Sequence, residues 1–221
     1  MARSRILTLA LPLLLAMPAA WAAEDISKVN GSIEVSAGKA YGELETVNGS
    51  VVIGEGAETG DASTVNGSIK VGANAKVGGL ETVNGAIRVG RNVETRGDIE
   101  TVNGGVFVDR GSTVGGNVET VNGAIGLVET RVRGDVETVN GDVTVGIGSV
   151  VGGGIRISRS SGWFQSAPKR KPRVVLGPRA VVEGPLRFER EVRLYIHRTA
   201  RSGQITGAEP VVFDTDTAPE E

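Results

Sequence analysis

Cysteine is absent from this chain of 221 residues, and histidine occurs once, at His197. Without cysteine the chain can form no disulfide framework, no thiolate metal site and no cysteine nucleophile. The histidine lies beside Arg198, and neither a Gly-x-Ser-x-Gly nor a phosphate-loop motif occurs in the sequence. We therefore expect a protein that is not an enzyme and that has no catalytic residue, no cofactor and no metal site.

Aromatic residues are scarce, at 4% of the chain, whereas glycine contributes 33 residues. This composition disfavours a core built around large side chains. At 39% hydrophobic and 23% charged residues the chain is nevertheless too apolar to be disordered. The composition predicts a regular architecture that buries small aliphatic side chains.

The first 22 residues have the features of a secretory signal peptide. Arg3 and Arg5 form the charged start, an apolar stretch covers residues 6–17, and Ala20-Trp21-Ala22 is a small-x-small cleavage site. The apolar stretch is shorter than the roughly 20 residues that span a bilayer. We expect cleavage after Ala22 and an exported protein, either periplasmic or at the cell surface and extracellular.

The sequence Val-Asn-Gly, usually preceded by Thr, recurs at intervals of 18 or 19 residues. A fixed period of this kind predicts a solenoid whose units stack on their neighbours. The seven repeated asparagines are Asn30, Asn48, Asn66, Asn84, Asn103, Asn122 and Asn140.

A sub-period of six within each unit predicts three sides per turn. We interpret it as an all-β, single-stranded triangular β-helix with about 18 residues per coil, in which the series Val47, Ile53, Thr59 and Val65 faces inward and Gly and Asn form the corners. The alternative is an antiparallel meander with Asn-Gly hairpins, which requires a sub-period of nine. Aliphatic residues three positions before several corners favour a right-handed coil.

The sequence divides into five segments. They are a signal peptide (1–22), β-solenoid repeats (23–157), a basic projecting loop (158–173), terminal solenoid coils with a cap (174–208) and an acidic mobile tail (209–221). Residues 23–155 carry 10 basic and 18 acidic groups, residues 156–208 carry 12 and 3, and the tail carries five acidic groups. A rod of this polarity can associate head to tail, or its basic end can meet an anionic surface.

Stacking of the coils predicts ladders of identical side chains. Glutamates at Glu45, Glu81, Glu100, Glu119 and Glu137 should fall along one edge, where calcium bridging of neighbouring carboxylates is chemically reasonable. The repeated threonines and asparagines should hydrogen-bond along the rod axis. A flat threonine ladder could instead order water, as ice-binding solenoids do.

One aromatic and basic segment is a candidate binding site for sugar rings or a membrane interface. The alternative is that this loop packs against the rod. The candidate residues are Trp163, Phe164, Lys169, Arg170 and Lys171.

The hexads of Val-Gly-Gly and Val-x-Gly type, with the closing segment Val181-Val182-Glu183-Gly184-Pro185-Leu186, resemble the bactofilins, and the Glu-Thr-Val-Asn-Gly units resemble the bacterial β-strand-repeat adhesin family. The bactofilin resemblance implies a right-handed triangular β-helix that assembles end to end as a scaffold without catalysis. Bactofilins are cytoplasmic, so the signal peptide departs from that pattern.

Together these features predict an exported, non-enzymatic β-solenoid that serves as a structural, self-assembling or adhesive element of the bacterial cell envelope. Its expected partner is a further copy of itself through end-to-end assembly. The alternative function is a module that binds envelope polysaccharide or an anionic membrane surface through the aromatic and basic loop. No feature predicts nucleic-acid binding.

Overall fold

A computed structural model describes residues 23–159 and 170–219 of the chain. This part is all-β and contains no helix, and therefore none with the length and hydrophobicity that crossing a bilayer requires. Three parallel sheets stack around one axis with about 18 residues per turn, as expected for a triangular β-helix.

The described residues form ten turns, here called coils, each of which contributes one short strand to each sheet until the last. The first four coils contain β1 (Ile26–Asn30), β2 (Ile33–Val35), β3 (Ala40–Tyr41), β4 (Leu44–Asn48), β5 (Val51–Ile53), β6 (Glu58–Thr59), β7 (Ala62–Asn66), β8 (Ile69–Val71), β9 (Lys76–Val77), β10 (Leu80–Asn84), β11 (Ile87–Val89) and β12 (Glu94–Thr95). The next three contain β13 (Ile99–Asn103), β14 (Val106–Val108), β15 (Thr113–Val114), β16 (Val118–Asn122), β17 (Ile125–Leu127), β18 (Arg131–Val132), β19 (Val136–Thr138), β20 (Val143–Val145) and β21 (Val150–Val151). The last three contain β22 (Ile155–Ile157), β23 (Arg173–Leu176), β24 (Val181–Val182), β25 (Leu186–Phe188), β26 (Arg193–His197), β27 (Arg201–Ser202), β28 (Ile205–Thr206) and β29 (Pro210–Phe213).

The strands pair only with the equivalent strands of the coils before and after them. The first sheet runs from β1 through every third strand to β28, the second sheet from β2 to β29, and the third sheet from β3 to β27. All pairings are parallel and in register with the repeat, so that Glu81 lies opposite Glu100 and Asn84 opposite Asn103. The fold therefore converts the sequence period into columns of side chains along the rod.

Inward positions form one continuous aliphatic core. Strands of the second sheet alternate between buried and exposed residues, as in Ile69-Lys70-Val71, because neighbouring side chains of a strand point to opposite faces. The largest fully buried side chains are isoleucines and leucines, so no aromatic residue is needed to fill the narrow interior. The scarcity of aromatic residues follows from this geometry.

The inward series predicted from the sub-period of six is correct in the second and third sheets but wrong in the first sheet. Val47 and Val65 are exposed by 36% and 40%, whereas Thr46 and Thr64 next to them are buried. The strand Leu44-Glu45-Thr46-Val47 places Leu and Thr inward, because alternate residues share a face. The repeated valines therefore lie on the outer surface of the first sheet.

Each of the first eight coils turns from the second to the third sheet through one residue with positive φ, and we call this turn the left-handed corner. Glycine has no Cβ and adopts this conformation without strain. The residues are Gly38, Gly56, Asn74, Asn92, Gly111, Glu129, Gly148 and Arg179, with φ between 44° and 76°.

The same three sheets continue on both sides of residues 158–172. β20 of the seventh coil pairs with β23 of the eighth, and β22 pairs with β25. The structure also differs from the expected mobile tail, because Pro210–Phe213 forms β29 on the edge of the second sheet. Phe213 is buried there, so an apolar side chain fixes part of a segment whose acidic composition indicated mobility.

Candidate functional site

The repeated asparagines lie at the turn from the first to the second sheet, which we call the asparagine corner. From Asn48 onwards, each asparagine donates a hydrogen bond from Nδ2 to Oδ1 of the asparagine one coil earlier, at 2.9–3.1 Å. We call this series the asparagine ladder. Its last carbonyl, on Asn140, accepts a hydrogen bond from Arg190 Nη1 at 2.8 Å. None of the seven asparagines has positive φ, so the amide bonds explain the residue type.

The threonines of the repeat are buried beneath this corner. From Thr46 to Thr120, each Oγ1 donates to the carbonyl oxygen of the corner glycine in the preceding coil, at 2.8–3.0 Å. Thr138 continues the column, but its Oγ1 is buried without a partner among the described residues. The inward direction removes these hydroxyls from solvent, and this excludes the alternative of an exposed threonine face that orders water.

From Gly49 onwards, the glycine of each asparagine corner is required by space. A Cβ on Gly85 would collide with the carbonyl oxygen of Gly67, and a Cβ on Gly104 would collide with that of Gly85. Thr, Asn and Gly of the repeat thus each have a structural role in joining successive coils. The valine between Thr and Asn has no comparable role, because it faces outward in every coil from β1 to β16.

The glutamates form one outward column of the first sheet, as the repeat predicted. Burial is the main cause that raises the pKa of Glu100, and the neighbouring charges of Glu119, Asp98 and Glu81 raise it further. Burial also raises the pKa of Glu137, against the opposing effect of Arg156, whose Nη1 lies 3.0 Å from its Oε1. The column is therefore a row of mutually repelling carboxylates.

A shallow groove of about 190 Å³ runs between the glutamates and the outward valines, over β10, β13, β16 and β19. No three His, Asp or Glu side chains of the described residues lie close enough to hold a metal ion. Calcium bridging would therefore need carboxylates to move together. The groove is shallow, and acidic and apolar side chains line it.

The predicted basic binding segment is only partly within the described residues. Trp163, Phe164 and Lys169 lie outside them. Arg170 Nη2 lies 2.7 Å from Asp142 Oδ2, and Lys171 Nζ lies 2.8 Å from Glu191 Oε2. Both described cations of the set are thus paired with carboxylates of the rod and its end.

His197 lies in β26 and is buried. Its Nδ1 is 2.8 Å from Thr199 Oγ1, and its ring meets the Phe213 ring edge to face, with centroids 5.2 Å apart. These contacts hold the last strand β29 against the core. They are contacts of packing, and no carboxylate accompanies them in the hydrogen bonds and ion pairs of the described part.

A second surface, on the outer face of the second sheet, was not predicted. Phe107 in β14 is 39% exposed, and its ring lies over Gly126 of the next coil. Arg88 and Lys70 precede it in the same outward column. The sequence carried a signal for this surface, because Phe107 is the one aromatic residue at an outward position of the repeats between β4 and β20.

Comparisons of the chain with protein-family models, with curated proteins and with solved structures give no match.

Proposed function

We propose that the chain is an exported, non-enzymatic β-solenoid that serves as a self-assembling structural or adhesive element of the bacterial cell envelope. The observation that carries this proposal is the form of the rod ends. Among the described residues, β1, β2 and β3 have a neighbour on one side only, and so do β27, β28 and β29 at the other end. Strand edges of this kind present unpaired backbone groups to a further strand.

The carboxyl-terminal edge has the character of a contact surface. In β29, Val211 and Val212 are exposed by 54% and 65%. The acidic excess of residues 23–155 and the basic excess of residues 156–208 favour a head-to-tail arrangement. A head-to-tail contact between two different ends does not close on itself and produces a filament.

Light scattering and electron microscopy of residues 23–221 test self-assembly. We expect particles that lengthen with concentration, and a double variant Val211→Glu, Val212→Glu should remain monomeric because the added negative charges repel the acidic rod of the next copy. The control Val65→Glu places one such charge on the side of the rod and should still assemble. Strictly monomeric wild-type protein at every ionic strength would rule out the self-assembling form of the proposal.

Export depends on the signal peptide proposed for residues 1–22. When the full chain is expressed in a bacterium, we expect an exported product whose first residue is Ala23, as determined by mass spectrometry. Retention of the uncleaved chain in the cytoplasm would contradict an envelope location.

The alternative, an envelope polysaccharide- or membrane-surface-binding module, draws less support. Two of its five candidate residues, Arg170 and Lys171, already pair with Asp142 and Glu191. It predicts that Trp163→Ala, combined with neutralisation of Lys169, Arg170 and Lys171, abolishes sedimentation with isolated envelopes. Unchanged sedimentation would refute it.

A further inference from the structure

The outer face of the second sheet changes character at the fourth coil. In the first three coils, the residue after each Asn-Gly is a serine whose Oγ accepts the backbone N–H of the equivalent residue one coil later, at 3.2–3.3 Å. We call this series the serine ladder. It stops at Ala86, and the next two equivalent residues are Gly105 and Ala124.

The end of the serine ladder leaves backbone donors free. The N–H of Ala86 is the last to reach a serine hydroxyl. One coil before Gly105 lies Ala86, and one coil before Ala124 lies Gly105, and neither of these residues has a side-chain acceptor. The N–H groups of Gly105 and Ala124 have no hydrogen-bond partner among the described residues. An unpaired N–H at the surface is a donor that a ligand can use.

The small residues also create a shallow cavity of about 310 Å³. Its floor includes Gly105, Ala124 and Gly126, and Phe107 stands at its side with 39% of its surface exposed. The ring lies close over Gly126, where an added Cβ would lie 3.3 Å from Phe107 Cδ2. An exposed aromatic ring beside a concave floor can stack on the apolar face of a sugar.

Two cations extend this surface along the rod. Arg88 lies opposite Phe107, and Lys70 lies opposite Arg88 in the preceding coil. Both side chains are exposed, and neither forms an ion pair within the described residues. Strand spacing separates successive positions of the column by about 4.8 Å. Positive charge therefore follows the aromatic ring at one-coil intervals.

We infer that Phe107, Arg88, Lys70 and the free N–H groups of Gly105 and Ala124 form a binding site for a linear, carboxylate-bearing polysaccharide. A sugar ring stacks on Phe107, and its carboxylate accepts hydrogen bonds from Arg88 and from the backbone donors. The next carboxylate of the same polysaccharide contacts Lys70.

The charge of the rod selects this ligand over other polyanions. Residues 23–155 carry 18 acidic and 10 basic groups, so this part of the rod as a whole repels nucleic acid and anionic bilayers. A polysaccharide with one carboxylate per sugar has a lower charge density and needs only the local cations. The inference goes beyond the proposed assembly, because the site lies on the side of the rod and requires no second copy.

Calorimetric titration of residues 23–221 with polygalacturonate tests the site. We expect binding that Phe107→Ala weakens at least tenfold and Arg88→Gln about fivefold. The matched control Lys76→Gln removes the same charge from the third sheet and should leave the affinity within twofold of wild type. The edge variant Val211→Glu, Val212→Glu should bind as wild type does, which separates this inference from self-assembly.

Ala86→Ser tests the role of the backbone donors. It extends the serine ladder by one coil and gives the Gly105 N–H an internal acceptor. We expect slower hydrogen exchange at Gly105, an unchanged fold and an affinity for polygalacturonate lowered about threefold.

Four outcomes would overturn the inference. They are no binding by the wild type at millimolar sugar concentration, equal binding by Phe107→Ala, equal binding of the neutral polymer dextran, and binding of phosphatidylglycerol vesicles in place of polygalacturonate.

Discussion

The asparagine corner contains glycine, and so does the left-handed corner in four of its eight coils, but for opposite physical reasons. At the asparagine corner, a Cβ on Gly85 would collide with the Gly67 carbonyl oxygen, although the backbone angles suit any residue. At the left-handed corner, Gly56 has open space where a Cβ would lie, but its φ is +64°. The first corner is limited by contact between coils, and the second by conformation within one coil.

The largest effect should come from filling the crowded corner. Gly85→Ala forces the Cβ against a backbone carbonyl that cannot move without separating two coils, and we expect a loss of about 3 kcal/mol or more in unfolding free energy. Gly79→Ala is the matched control, because its nearest neighbour would lie 3.5 Å away and its φ is not positive. Chemical denaturation measures both. Equal stability of the two variants would show that the coils can separate at little cost.

The buried threonines inside the rod also differ in their contacts between coils. Thr101 Oγ1 donates to the Gly85 carbonyl at 2.9 Å, whereas Thr95, beneath the third sheet, has a buried Oγ1 without a partner. Thr101→Val should therefore destabilise the protein by about 1–2 kcal/mol, and Thr95→Val should stabilise it by about 1 kcal/mol. Thermal unfolding of both variants provides the test, and changes of the same sign would contradict the assignment of the hydrogen bonds.

Asparagine also occurs at both corners, and its two roles can be separated by one substitution. Asn84 bonds to Asn66 and Asn103 in the asparagine ladder. Asn92 has a φ of +55° and donates one longer amide hydrogen bond, to Asn74 Oδ1 at 3.3 Å. Asn84→Gly should cost about 1 kcal/mol or more, because two amide bonds are lost and the unfolded chain gains freedom. Asn92→Gly should be neutral within about 0.5 kcal/mol, because the relief of the left-handed conformation offsets the loss of one weaker amide bond. Denaturant midpoints at equal slopes give both values.

The left-handed corner can also be relieved of strain. Glu129 adopts a φ of +44°, whereas the same corner has glycine in four other coils. A side chain in this region costs roughly 1–2 kcal/mol, so Glu129→Gly should raise the unfolding free energy by about 1 kcal/mol. Glu129→Ala keeps the Cβ and serves as the control, with no gain expected. A gain in both variants would attribute the effect to the lost charge.

The sequence could be interpreted where a feature follows from the repeat period, but not where it depends on a single contact between coils. Its period gave three sheets, the register of the glutamates and the stacking of asparagines, because each follows from identical residues recurring once per coil. The direction of Thr46 and Val47 was predicted wrongly, because valine is the more apolar of the two. Leu44, two residues before Thr46, indicated the correct alternation. The buried Thr46 hydroxyl donates a hydrogen bond to a glycine carbonyl of another coil, and this contact is invisible in the sequence of one coil.

Only part of the surface around Phe107 could be predicted from the sequence. Its outward direction follows from the repeat, but the free donors of Gly105 and Ala124 depend on hydrogen bonds that serine side chains make in other coils. The candidate residues chosen for their type, Arg170 and Lys171, are instead engaged by carboxylates distant in sequence. The sequence predicted which residues form a column along the rod. The structure was needed to show which residues of a column lack the hydrogen bonds of the others.

The smallest effect concerns the glutamate column, which the asparagine corner holds at a fixed spacing. Burial and the charges of Glu119, Asp98 and Glu81 raise the pKa of Glu100 above its ordinary value, so ionisation of this group opposes folding. Its favourable contribution is complete below the unfolded-state pKa and is lost as the pH rises through the higher folded-state pKa. Glu100→Gln should therefore be more stable than wild type at pH 7, with the difference shrinking as the pH falls through the raised folded-state pKa and below the ordinary pKa of a glutamate. Thermal unfolding across this range measures the difference, and Glu34→Gln, on the second sheet, is the control. A difference that is independent of pH would show that the neighbouring carboxylates do not interact at the spacing set by the coils.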